Sequence, residues 1–302
     1  MKIIRFVFLF CINLSVCYAA YSQQNKHVSL GTKQGGIALG MPTLYYGIVL
    51  SPISPRATQN STLYGMVLSS KIHANMLAGF GLSFVDMSAQ LYGVSSSLVC
   101  NVNNIYGVAT SLYHTATRSN GVAIGLGFMR GIHRGLSASL INYSETKGFK
   151  IAGFVGNNHV KGVQIGGVLM GESRGIRIAL CNAKFSHSGV CMGVINSSTV
   201  LRSSSGYYGG TFGLSLGFIN AGYNSGGYQI GIINSIRESI RPRIIQLGAV
   251  NFAKVAEKSL QIGIINSNGL GVNCKQIGIL NIQRSNRWLF KIVPFYNVTR
   301  VD

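Results

Sequence analysis

Three closely spaced copies of one phrase decide how this chain is read: Tyr228-Gln-Ile-Gly-Ile-Ile-Asn234, Ile245-Gln-Leu-Gly-Ala-Val-Asn251 and Leu260-Gln-Ile-Gly-Ile-Ile-Asn266. Alternation with a period of two makes each copy a β-strand, with Leu260, Ile262 and Ile264 on one face and Gln261, Gly263 and Ile265 on the other. The phrase is roughly palindromic about its Gly, so the same strand can point up or down.

With the Gln taken as an anchor, weaker copies run back through the chain. The anchors are Gln276, Gln261, Gln246, Gln229, Ser215, Cys191, Arg177, Gln164 and Lys150, then Ser137, Ala123, Ile105, Leu91, Leu77, Leu63 and Tyr45, 16 in all. Two residues past the anchor stands Gly in 13 of the 16, including the repeat glycines Gly217, Gly231, Gly248, Gly263 and Gly278. A period this regular governs the fold.

The spacing between anchors predicts the connections. Most intervals are 13 to 15 residues, and the four longest (Tyr45 to Leu63, Ile105 to Ala123, Cys191 to Ser215, Gln229 to Gln246) all occupy odd positions in the series. In an up-and-down meander that parity puts tight turns at one rim and variable loops at the other, as in transmembrane barrels. The expected fold is therefore all-β, an antiparallel up-and-down β-barrel of about 16 strands. The alternative is a β-solenoid with its large apolar face inward, which leaves Ile233, Val250, Ile265 and Leu280 facing water.

Composition bounds the class. Charged residues are 11%, hydrophobic residues 47% and glycines 39 of 302, which argues against both disorder and a helical protein. Residues 1–22 read as a secretory signal: Lys2 and Arg5, then the apolar run Phe6–Val16, then the small-x-small site Ala20-Tyr21-Ser22. The remainder, 23–302, reads as one repeat β domain with copies over about 44–282 and an aromatic strand over 287–298. Removing Lys2 and Arg5 lowers the formal charge to 20 − 2 = +18. That excess points to anionic partners, and export points away from nucleic acid and toward membrane lipid, lipopolysaccharide or anionic solutes.

The copies of Gln229-Ile-Gly-Ile-Ile-Asn234 resemble the Leu-Gln-Ile-Gly-Leu-Ile-Asn repeats of bacterial surface repeat-containing proteins, most strongly over about 164–282. The ending Trp288-Leu-Phe-Lys-Ile-Val-Pro-Phe-Tyr-Asn297 is similar to the aromatic-Pro-aromatic finish of that family. The resemblance implies a place, the envelope or surface of a Gram-negative bacterium, and no established activity.

Catalytic chemistry is not legible. The acids Asp86, Glu145, Glu172, Glu238, Glu257 and Asp302 fall between copies or at the terminus, so no acid–base pair follows. Gly213-Leu-Ser-Leu-Gly217 spells a nucleophile elbow, but its Ser215 is a strand anchor and not a strand-to-helix turn. His73, His133, His159 and His187 read as solvated turn residues rather than metal ligands. No cofactor is expected. The candidate anion contacts are Lys150 and Arg177, facing a barrel lumen, and Arg237, Arg241 and Arg243 in one loop. If neighbouring strands run antiparallel with their Gly positions opposed, Cys181 and Cys191 form a cross-strand pair. The expected function is non-enzymatic: an outer-membrane barrel, structural or weakly anion-selective, or else a surface-attached solenoid used in adhesion or partner binding.

Overall fold

Frequent glycine beside branched aliphatic residues disfavours helix and suits strands broken by tight bends. The computed structural model is built that way, and contains no helix among the described residues. Those are residues 28–32, 34–40, 42, 44–51, 61–156, 159–199, 201–203, 206–208, 210–239, 243–256, 258–271, 273–286 and 292–298. The signal segment 1–22, Arg241 and Trp288 lie outside them. Two compact units divide the chain, Met1–Ser139 and Leu140–Asp302.

The first unit holds β1 (Val28–Thr32), β2 (Gly35–Leu39), β3 (Leu44–Ser51), β4 (Thr62–Ile72), β5 (Met76–Asp86) and most of β6 (Gln90–Val155), which the chain continues into the second unit. There follow β7 (Val160–Ser198), β8 (Leu201–Ser203), β9 (Gly206–Tyr208), β10 (Gly210–Leu216), β11 (Ile219–Ile230), β12 (Ile233–Ser239), β13 (Ile244–Leu247), β14 (Val250–Ala256), β15 (Ser259–Ile262), β16 (Ile265–Gly271), β17 (Cys274–Gln283) and β18 (Ile292–Val298).

Pairing within the repeats is parallel and in register. In the first unit β2, β3, β4, β5 and β6 stack in chain order, with Gly47 opposite Gly65, Gly65 opposite Gly79 and Gly79 opposite Gly93. From β12 on, the coils of the second unit break into one short and one long strand, so β13, β15 and the start of β17 stack in one ladder and β12, β14, β16 and the end of β17 in another. In the last coils like pairs with like: Gln246 with Gln261, Gln261 with Gln276, Asn251 with Asn266. Among the described residues three pairings are antiparallel: β1 with β2, β17 with β18, and the hairpin of β8 with β9, which lies in the longest interval of the repeat.

The fold is therefore a β-solenoid of about fifteen turns, and the antiparallel 16-stranded barrel is not formed. The physical reason lies within the phrase. At Gly263-Ile264 the strand bends between β15 and β16, so Gln261 and Asn266, five residues apart, are both fully buried. An unbroken strand would place them on opposite faces. The same bend recurs at Gly217, Gly231 and Gly248.

All sixteen anchors are buried. The parity argument fails because one long interval is an artefact of frame. The glycine column of the first unit runs Gly79, Gly93, Gly107, Gly121, each stacked on the carbonyl of the one before. The anchors Leu77, Leu91 and Ile105 stand two residues before that column, and Ala123 stands two residues after it. Between Ile105 and Ala123 the sequence reading therefore slips four residues across an unbroken strand. Gly79 shows why the column is invariant: its φ is 137° and an added Cβ would lie 2.1 Å from the Gly65 carbonyl oxygen.

The core changes character between the units. In the first it is aliphatic, with Leu63, Leu77, Leu91, Ile105, Val49 and Val67 in one cluster. In the second it is mainly amide. From Gln246 on, each anchor Gln Nε2 donates to the Oε1 of the previous coil, Gln246 to Gln229 at 2.9 Å, Gln261 to Gln246 at 2.7 Å and Gln276 to Gln261 at 2.8 Å. It also reaches across the coil to a backbone carbonyl, Gln261 to that of Ser267. The asparagines form a longer ladder, each Nδ2 donating forward along 182, 196, 220, 234, 251, 266 and 281 at 2.8–2.9 Å. Each Asn from 196 to 266 donates as well to the carbonyl just before the next bend glycine, Asn251 to that of Ile262 at 3.0 Å.

Replacing Asn251 with Ala removes the two bonds it donates to Asn266 and Ile262 and leaves the buried Asn234 amide with the Leu247 carbonyl but without its ladder acceptor. We expect a loss of about 2–3 kcal/mol in denaturant unfolding of the mature chain, against within about 0.5 kcal/mol for Ser235→Ala on the exterior.

Candidate interaction surface

With amides turned inward, the large apolar side chains of the repeat go outward. In the second unit Ile230, Ile232, Ile262, Ile264, Ile277 and Ile279 are exposed, Ile279 by 66%. This reverses the polarity expected for a solenoid, whose large apolar face was to turn inward. In the first unit the exterior carries stacked aromatic rings, Tyr46 on Tyr64 at 4.7 Å between centroids and Tyr92 on Tyr106 at 4.8 Å. In-register parallel stacking puts like residues ~4.8 Å apart along a column, the distance at which such rings meet face to face.

The repeat glycines shape this surface. Gly193, Gly217 and Gly231 floor a groove of about 420 Å³ walled by Val194, Phe218, Ile230, Ile232 and Leu247. A Cβ at Gly231 would meet the Gly217 carbonyl oxygen at 2.0 Å and Asn220 Nδ2 at 2.7 Å. The same contact recurs at Gly248, Gly263 and Gly278. Their role is close coil approach over the Asn ladder, not ligand binding.

Lys150 and Arg177 sit at anchor positions inside the second unit, each with no exposed surface, and the coil has no lumen for them to line. The Lys150 ammonium donates to the Ser144 carbonyl, and one Arg177 Nη to the Gly171 carbonyl at 3.1 Å. The other Arg177 Nη and its Nε have no hydrogen-bond partner among the described residues. Lys184, which the sequence reading did not single out, is buried with them, its ammonium 3.4 Å from the Ser215 hydroxyl. Burial, with Arg177 nearby, lowers Lys150 from its ordinary value to about 7, and burial lowers Arg177 to about 10. Lys184 is lowered by burial too.

His187 is also buried, not solvated, and shares a 2.8 Å hydrogen bond with Ser173. Burial and the neighbouring Lys184 and Arg177 lower it to about 3. His133 is likewise buried, whereas His159 is at the surface beside Glu172, at 2.7 Å. The turn assignment fails for His133 and His187 because β6 and β7 pass through those positions without a break. The signal that marks them is their place two residues before Gly135 and Gly189, the offset that buries Leu77 and Leu91 relative to Gly79 and Gly93.

Arg237 and Arg243 are exposed, but they do not share the one loop expected of them, because strand β12 extends through Arg237. Arg237 lies on strand β12, its guanidinium 5.4 Å from the centre of the Tyr223 ring. Cys181 and Cys191 are not opposed. Ala179 stacks on Gly193 and Asn182 on Asn196, an offset of fourteen that places Cys181 level with Ile195. Cys191 stands beside Ser215 in the next coil. Cys100, Cys181 and Cys191 are free thiols among the described residues, and Cys100, Cys191 and Cys274 are buried. In the first unit Asp86 is buried and satisfied by Ser88 and Ser95.

No protein-family profile matches the chain, and neither the curated proteins nor the solved structures yield a match.

The buried bases set a pH dependence of known sign. Between pH 7 and 10.5 an unfolded Lys150 is protonated while the folded one is neutral, so stability rises with pH across that window. His187 acts likewise between pH 3 and 6.5. Denaturant midpoints measured from pH 6 to pH 10 should climb, and Lys150→Met should flatten that climb while stabilising the protein at pH 7 by a few kcal/mol.

Proposed function

We propose that this chain is a non-enzymatic, surface-attached β-solenoid that acts in adhesion or partner binding through its exterior. The observation that carries the reading is the inversion of polarity: the interior of the second unit is closed by amide ladders, while contiguous columns of Ile, Tyr and Phe face outward. Apolar faces of this extent mark association surfaces. The signal-like residues 1–22 and the resemblance to surface repeat proteins support export to the envelope of a Gram-negative bacterium. A parallel solenoid offers no pore through its packed interior, so anion conduction forms no part of this reading.

The test has two arms on intact cells producing the chain. A membrane-impermeant thiol reagent should label Ser267→Cys, an exterior position, without lysis. Cells carrying Ile262, Ile264, Ile277 and Ile279 all changed to Thr should attach to hydrophobic or epithelial surfaces at least fivefold less than cells carrying the native chain at equal surface abundance. Labelling only after lysis, or attachment unchanged by the four substitutions, contradicts the proposal.

A further inference from the structure

The long-strand sheet of the second unit brings together three cations that the sequence scatters. The register Ile236 opposite Ala253, Ala253 opposite Asn268, and Asn268 opposite Gln283 makes Arg237, Lys254, Gly269 and Arg284 one exterior column. Arg237, Lys254 and Arg284 are exposed. Coils stack at ~4.8 Å, so Arg237 and Lys254 are immediate neighbours, while Lys254 and Arg284 are ~9.6 Å apart with Gly269 between them.

Gly269 makes this arrangement a site rather than a row. Any side chain there would fill the gap between Lys254 and Arg284, and even a Cβ would lie 2.4 Å from the Lys254 carbonyl oxygen. The result is a groove of about 480 Å³ lined by the three cations, by Ser235 and Ser267, and by the exposed ring of Phe252. Among the described residues no carboxylate lines it. Glu238, next to Arg237 on β12, accepts a hydrogen bond from the Tyr223 hydroxyl at 3.3 Å. Like charges directly opposite on a sheet repel, so Arg237 beside Lys254 is unfavourable until an anion joins them.

We infer that this groove binds a phosphorylated saccharide, with a phosphate seated over Gly269 between Lys254 and Arg284. Two charge-assisted hydrogen bonds of ~2.8 Å, one from each cation, bridge a tetrahedral oxyanion across that gap. The Ser267 hydroxyl is placed to donate a third, and Arg237 extends the positive edge to a second phosphate one or two coils away. The Phe252 ring supplies a flat apolar platform for a sugar face, which a bare inorganic ion would not use. The inference rests on the strand register and the groove it forms, and stands whether or not the exterior mediates adhesion.

The test is calorimetric titration of the mature chain with a glucosamine disaccharide bearing two phosphates, the same disaccharide without phosphate, its sulfated counterpart, and inorganic phosphate. The phosphorylated disaccharide should bind at least tenfold tighter than the other three. Lys254→Gln with Arg284→Gln should weaken it at least tenfold, and Phe252→Ala should weaken it severalfold without altering the response to inorganic phosphate. Lys161→Gln with Arg174→Gln, exposed cations elsewhere in the second unit, should change affinity less than twofold. The inference is overturned if no probe binds at millimolar concentration, if inorganic phosphate or the sulfated sugar binds as tightly as the phosphorylated one, or if the control pair weakens binding as much as the groove pair. All these positions are exterior, and unchanged thermal melting separates lost binding from lost folding.

Discussion

The stacking of identical amides along the coil axis is the constraint on which the second unit depends. A buried primary amide has two donors and an acceptor to satisfy, and an unpaired one costs about 1–3 kcal/mol. In-register parallel coils satisfy the ladder bonds at once, because each Asn or Gln meets its own copy one coil away. A shift of one residue would break a whole ladder, so register follows from chemistry rather than from the shape of apolar side chains. The bend glycines serve this constraint: only a residue without a side chain lets the next coil approach the Asn ladder within bonding distance.

Turning amides inward has two consequences. The aliphatic residues of the phrase are displaced to the exterior, where Ile262, Ile264, Ile277 and Ile279 form the face proposed for partner contact. The interior also becomes polar enough to enclose Lys150, Arg177, Lys184 and His187 with few formal partners. Burial moves each toward its neutral form, and the stability of the second unit is tied to pH through them.

Interior positions were legible in the sequence: each anchor from Tyr45 to Gln276 is buried, although the anchor frame shifts by four residues between Ile105 and Ala123. Strand class was legible as well. The direction of the strands was not, for a definable reason. Alternation with a period of two was carried through the Gly at anchor +2, and the bend there puts Gln and Asn, five apart, on the same side. Once Asn is seen as interior, the phrase is no longer a palindrome, and identical Gln and Asn ladders require parallel stacking. The frame slip between Ile105 and Ala123 arose because glycines occur both two before and two after the anchor column, so Gly107 and Gly125 look equivalent in sequence. The basic groove was half visible: Arg237 stood out, but Lys254 and Arg284 join it only when coils of seventeen and fifteen residues are stacked.

Parallel, in-register coils are the central claim, and one pair of positions tests it. Phe252 and Ser267 face each other in neighbouring coils and both lie on the exterior. In an antiparallel meander with Gly248 opposite Gly263, the same residues would sit at opposite strand ends, eight residues or ~27 Å apart. Cysteines introduced at both positions, treated with a short bifunctional thiol reagent and mapped by mass spectrometry, should give the 252–267 cross-link in high yield from the folded mature chain. Absence of that link, with 252 joined instead to a cysteine placed at Ser259, would contradict the solenoid.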